Sequence, residues 1–142
     1  MPKMTIEEFN QLLAEEMPFA LDAGLSLEEM KHGEATMMLP YDDNMLRPGG
    51  TISGPSMMML ADATMYAVVL SMIGRVALAV TTNFNINFLR KPSPGNIHAE
   101  GKIIKLGKRL AVIQVTLYSV NEDDPVAHAT GTYSIPPLEK RT

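Results

Sequence analysis

The chain has 142 residues, no cysteine, 46% hydrophobic and 20% charged residues, and a net charge of -4. This length suits one domain, 1–142, with a single core. The absence of thiols excludes disulfide scaffolds and thiolate metal sites, and the negative balance gives no general pull toward nucleic acid or anionic membrane.

In chain order, Thr5 and Glu8 have capping-box spacing, and Ile6, Phe9, Leu12 and Leu13 fall on one face of a helix within 1–20 that Pro18 ends. Two extended stretches follow, Leu25 to Lys31 and Glu34 to Leu39, around a tight connection at His32-Gly33. Tyr41 to Gly50 reads as loop, punctuated by Pro48, Gly49 and Gly50. Gly54-Pro55 then supplies a helix start, and a helix is predicted over roughly 55–72. Its body, Met57 to Ile73 (MMMLADATMYAVVLSMI), is apolar except for Asp62, Thr64 and Ser71. The run is short for a membrane span and carries a central Asp; a helix apolar nearly all round is normally buried on every side. Asn83 to Phe88 alternate polar and apolar in strict turn, the mark of a strand. Strands are also predicted over Ile97 to Leu106, Leu110 to Val120 and Pro125 to Ile135, followed by a polar tail, 136–142.

This order argues for an α+β domain in which an antiparallel sheet of about six strands wraps one long buried central helix. One sheet cannot cover such a helix on all sides, so self-association, at least to a dimer, is expected. Asp62 is the anomaly in the helix. A carboxylate there must be paired, protonated or working, because an unpaired buried charge costs at least several kcal/mol, and such groups often mark a site.

From Leu25 to Ile135 the chain resembles the hotdog-fold acyl-CoA thioesterases, in particular the phenylacetate-degradation (PaaI-like) branch. The resemblance rests on Gly50-Thr-Ile-Ser-Gly54 followed by Leu60-Ala-Asp62, on Asn85-Ile-Asn-Phe-Leu-Arg-Lys-Pro92, on Leu106-Gly-Lys-Arg109 and on Ala127-His-Ala-Thr-Gly-Thr-Tyr133. It implies that Asp62 is the catalytic carboxylate, as general base or nucleophile, and that the Gly54 N–H polarises the thioester carbonyl. It also places Thr81 as the hydroxyl that orients the water or carboxylate, with Thr82 as the neighbouring candidate. Arg90, Lys91, Lys108 and Arg109 stand where the family tends to hold the phosphates of coenzyme A, and one site is shared between two subunits. No cofactor or metal is implied beyond coenzyme A itself, which is part of the substrate. The expected product is a cytoplasmic homodimeric hydrolase, with tetramers as a further possibility, and no nucleic-acid or membrane partner.

The sequence also departs from that branch. Ser53 stands at the usual His, Pro55 at the second Gly, and Arg47 where the family often has Asn, while Asn44 lies three residues earlier. Pro55 cannot donate an N–H. Gly54 has a plainer reading as a turn residue needing unusual backbone angles. Met57, Met58, Met59 and Met65 are candidates for an adaptable acyl pocket or for core. His32, His98 and His128 are too scattered for metal-ligand spacing and read as hairpin and strand residues. Two other functions use the same residues: a non-catalytic acyl-CoA-binding protein, suggested by the departures, and a dehydratase or hydratase, disfavoured because the helix motif has no His.

Overall fold

The computed structural model describes residues 1–42, 46–47, 51–120 and 122–140. Helix α1 (Ile6–Glu16) opens with the predicted capping box: Thr5 Oγ1 accepts from Glu8 N at 3.1 Å, and Thr5 N donates to Glu8 Oε1 at 2.9 Å. Pro18 ends that helix and also begins a short second one, α2 (Pro18–Asp22), because proline fits the first turn of a helix and not its interior.

Strands β1 (Ser26–Lys31) and β2 (Glu34–Leu39) form the expected hairpin, with Gly33 at φ 85° in the turn. Within the stretch read as loop, Leu46–Arg47 (β3) instead pairs with Thr51–Ile52 (β4) as a small antiparallel ribbon. Helix α3 (Gly54–Ile73) follows, then β5 (Val80–Phe88), β6 (Ile97–Leu106), β7 (Leu110–Ser119) and β8 (Ala127–Ser134). The main sheet is antiparallel with order β1-β2-β6-β7-β8-β5. This is the six-stranded hotdog architecture with α3 as its filling.

Alternation builds the core. The inward residues of β7 (Ala111, Ile113, Val115, Leu117) and β8 (Ala127, Ala129, Gly131, Tyr133) are all buried against the helix side. Two of the inward strand positions are glycines because the helix lies too close for anything larger. A Cβ on Gly101 would sit 2.8 Å from side-chain atoms of Thr64 and Val68, and one on Gly131 would sit 2.6 Å from Met65 Sδ. Each fully buried Leu or Met of α3 contributes roughly 1.5–3 kcal/mol by leaving water.

The helix polar groups beyond Asp62 are satisfied locally. Thr64 Oγ1 donates to the Leu60 carbonyl at 2.7 Å, and Ser71 Oγ donates to the Val68 carbonyl at 2.6 Å while accepting from Gly33 N at 2.9 Å. The second half of α3 is therefore closed within one chain, helped by α1, whose Phe9 meets Tyr66 at a centroid distance of 5.9 Å. Within one chain, what remains open is the N-terminal half, where Pro55 and Met58 are exposed and Met59 and Asp62 half-buried. At the edges of the sheet, β1 donates a bond to α1, from Leu27 N to Asn10 Oδ1 at 3.0 Å. Strand β5 forms the other edge, and Val80 and Phe88 at its two ends are 54% and 49% exposed.

Candidate active site

The start of α3 is built by three consecutive residues with different duties. Ser53 is the N-cap: its Oγ accepts from Ser56 N at 3.3 Å, lies 2.9 Å from Ser56 Oγ, and its carbonyl accepts from Met57 N at 3.3 Å. Gly54 is the first helical residue and is not among the positive-φ glycines, so the turn-residue reading is set aside. Pro55 brings no N–H. Among the described residues, Gly54 thus carries the one unpaired N–H of this turn, at the partially positive end of a 20-residue helix. It lines a cavity of about 460 Å³ together with Ile52, Met57 and the segment from Phe88 to Pro92.

Asp62 lies two turns further on. Its Oδ1 accepts from Thr81 Oγ1 at 2.7 Å and from the Tyr133 hydroxyl at 2.9 Å, and the same hydroxyl is 3.0 Å from the Asp62 backbone carbonyl. The carboxylate is half-buried, not fully buried as its apolar neighbours suggested. Oδ2 has no hydrogen bond among the described residues and is not one of the buried unpartnered atoms, so it is the open oxygen. Asp62 lines a second cavity of about 450 Å³ whose walls are otherwise almost entirely apolar: Met58, Met59 and Ala63 of α3, Phe84 of β5, and Met17, Phe19, Ala20 and Leu25 from the N-terminal segment. Burial, followed by repulsion from Asp62, pushes the Tyr133 phenol far above its ordinary range. The phenol therefore stays protonated and serves as a donor. Tyr66 is pushed up to about 12, chiefly by burial and then by Glu16; its hydroxyl donates to the Ala77 carbonyl at 3.1 Å.

Thr81, and not Thr82, reaches the carboxylate because of a β-bulge. Thr81 pairs with Tyr133 and Asn83 with Thr132, leaving Thr82 as the extra residue. Strict alternation backward from Phe84 and Ile86 would turn Thr82 inward and Thr81 outward; the bulge reverses that parity. Thr82 is exposed to solvent as a strand-surface residue, with Oγ1 donating to the Thr132 carbonyl at 3.2 Å. Asn83, Asn85 and Asn87 lie on the exposed face, as the alternation requires.

The remaining candidates divide between the two cavities and the surface. Arg90 and Lys91 line the Gly54 cavity, and Arg90 Nη1 is 3.5 Å from both Glu122 Oε2 and Asp124 Oδ2. Lys108 and Arg109 are exposed in the β6–β7 turn, where Arg109 Nε donates to the Ile135 carbonyl at 3.0 Å. Met58 and Met59 line the Asp62 cavity, Met57 lines the Gly54 cavity, and Met65 is core. Asn44 lies outside the described residues, and Arg47 is described only as strand backbone. His32 lies at the hairpin turn, His98 stacks on Tyr118 at 5.2 Å, and His128 Nε2 is 3.3 Å from Gln114 Oε1. Tyr133 is the residue beside Asp62 that sequence reasoning passed over. The available signal was its parity: it is the one large polar residue among the inward positions of β8, after Ala127, Ala129 and Gly131.

Residues 49–126 match the sequence profile of the thioesterase superfamily. The chain belongs to this superfamily. A relative from Saccharolobus solfataricus, provisionally named an esterase, is 30% identical over 94% of this chain and 87% of its own length. A solved structure from Silicibacter sp., a provisional thioesterase, is 43% identical, covers 96% of this chain and 95% of its own, and superposes with a TM-score of 0.88. A variant of the phenylacetic acid degradation protein PaaI from Thermus thermophilus is 25% identical over 84% of this chain and 99% of its own, with a TM-score of 0.74. Within the superfamily, these relatives support a thioester hydrolase, and the PaaI-like resemblance holds.

Proposed function

We propose that this thioesterase-superfamily chain is an acyl-CoA thioesterase that works as a homodimer. The observation that carries the reading is the pairing of an open carboxylate oxygen with an apolar cavity. The acyl chain would lie among Met58, Met59, Phe84 and Phe19, with its carbonyl beside Asp62. Asp62 would then either take a proton from water as the water adds to the carbonyl carbon, or attack that carbon itself. A donor N–H at the oxyanion stabilises the developing charge and the C–S bond breaks, the leaving sulfur taking up a proton. Attack by water gives the free acid directly, whereas attack by Asp62 gives an acyl-Asp62 anhydride that a water then hydrolyses, so the products in both cases are the free acid and the thiol of coenzyme A.

The donor belongs to a different chain in this reading. Gly54 and Asp62 are eight residues apart on one helix, which separates them by about 12 Å along its axis. They cannot meet one carbonyl in the same chain, and they line different cavities. Edge strand β5 supplies the way to join them. Asp62 bonds to Thr81 near its beginning, and Gly54 lies against Phe88 at its end, where a Cβ would be 3.3 Å from the ring. Antiparallel pairing of two β5 edges would set Thr81 of one chain opposite Phe88 of the other. The same pairing would bring Arg109, which flanks the Val80 end through Ile135 and Ser134, toward the partner's Arg90 and Lys91. Three cations around one cavity mouth suit the phosphates of coenzyme A. An unpaired edge nine residues long, with apolar ends, also calls for cover.

The test is a panel of acyl-CoA thioesters followed by thiol release, with light scattering for the dimer. Turnover of at least one member by a dimer is expected. Thermal stabilisation by acyl-CoA with no release from any member would replace this reading with the binding-protein one.

A further inference from the structure

The residues around Asp62 do more than satisfy a carboxylate: they distinguish its two oxygens. Thr81 and Tyr133 are direct Cα partners on adjacent strands, and both hydroxyls donate to Oδ1, at 2.7 and 2.9 Å. Nothing among the described residues bonds Oδ2. A carboxylate held by one donor can still swing or exchange its oxygens. Two donors converging on one atom from different strands fix the plane of the group.

We propose that Tyr133 is a positioning residue which, together with Thr81, clamps Oδ1 of Asp62 so that Oδ2 alone is presented to the reacting carbonyl or water. The inference rests on the thioesterase reading above and adds a residue with a specific task to it.

The bland alternative is that Tyr133 is a core residue that happens to find a partner. Its ring is 3% exposed and stacks on Tyr66 at 6.1 Å with an interplanar angle of 22°. Those contacts need the ring and not the hydroxyl. The hydroxyl's other neighbour, the Asp62 carbonyl, lies within α3 and has the helix ladder to satisfy it. The close approach of β8 to the helix at Gly131, two residues earlier, is what brings the phenol to Asp62. The hydroxyl is therefore separable from the packing.

Tyr133→Phe in the full chain removes the donor and keeps the ring. A loss of about tenfold in kcat is expected, with KM for acyl-CoA within about twofold and the thermal midpoint nearly unchanged. Thr81→Val should lose a similar factor. The double variant should lose less than the product of the two, because losing either donor already leaves the carboxylate free to swing, and residues in one hydrogen-bond network couple. A Tyr133→Phe enzyme with wild-type kcat, or losses that simply multiply, overturns the clamp. Asp62→Asn separates the two levels: if it retains full turnover, the thioesterase mechanism itself fails, whereas an inactive Asp62→Asn beside a fully active Tyr133→Phe sinks only the clamp. Should Tyr133→Phe not fold, the infrared carboxylate bands of carbon-13 aspartate-labelled protein, subtracted from those of Asp62→Asn, give the second arm. Donors on one oxygen widen the gap between the two carboxylate stretches; a gap equal to that of solvated aspartates overturns the proposal.

Discussion

The two halves of α3 have similar composition and opposite duties. From Ala63 to Ile73 the helix is closed on nearly every side, and its polar side chains, Thr64 and Ser71, bond to carbonyls one turn back. From Gly54 to Asp62 it borders two cavities and keeps an N–H at one end and a carboxylate oxygen at the other without protein partners among the described residues. The difference shows that hydrophobicity alone does not separate a closed stretch of helix from an open one. What separates them is whether the polar groups have been used up by the fold.

Asp62→Asn tests that contrast most severely. It should lower thioester turnover at least about 100-fold, measured by thiol release, with little change in folding, because the proposed mechanism routes the reaction through the group it alters. Gly54→Pro should cost about 100-fold by deleting the single free N–H. Proline is acceptable at a first helical position, and Ser53 already has ψ 150°, which suits a residue before proline. Gly54→Ala retains the N–H and should lose far less, its methyl meeting only the Phe88 ring edge at 3.3 Å. Mixing the inactive Asp62→Asn and Gly54→Pro chains should restore about a quarter of wild-type activity, since half of randomly paired dimers then carry one intact shared site out of two. No recovery after subunit exchange would place the donor and the carboxylate of a site in one chain.

The closed half should respond in the other currency. Leu70→Ala, at a fully buried position, should destabilise by about 3 kcal/mol in denaturant titration while leaving kcat of the folded protein unchanged. A large kcat loss there would dissolve the division between the halves. Arg90→Ala should raise KM for acyl-CoA roughly fivefold and leave a short phosphate-free thioester unaffected. The smallest effect at working pH is that of the tyrosines. Tyr66 is raised from 10.0 to about 12, so its contribution to stability is complete below pH 10 and is lost as pH rises toward 12; Tyr133 extends the loss higher. A melting temperature flat up to pH 9 and falling beyond 10 checks the sign.

Much of the fold was legible because its signals are local. The capping box at Thr5, the hairpin at His32-Gly33, the helix start at Gly54-Pro55 and the alternation from Asn83 to Phe88 each depend on residues a few positions apart. The ribbon at Leu46–Arg47 was missed because a two-residue strand has no period to detect. The site was half legible. Asp62 stood out as a charge in an apolar helix, and Gly54 as its beginning. Thr81 and Thr82 could not be told apart by alternation, since one extra residue in a bulge flips every side chain before it.

What the sequence determined by itself was which segments are helix and strand, and where along the helix a carboxylate sits, because periods of 3.6 and 2.0 are properties of neighbouring residues. The tertiary structure alone decided what that carboxylate touches. Tyr133 is 71 positions away in the chain, and its hydroxyl reaches Asp62 Oδ1 because β8 packs closely on α3 at Gly131 while the bulge turns Thr81 to the same oxygen. Packing distance and strand register are set by the whole sheet, which is why no local pattern announces them.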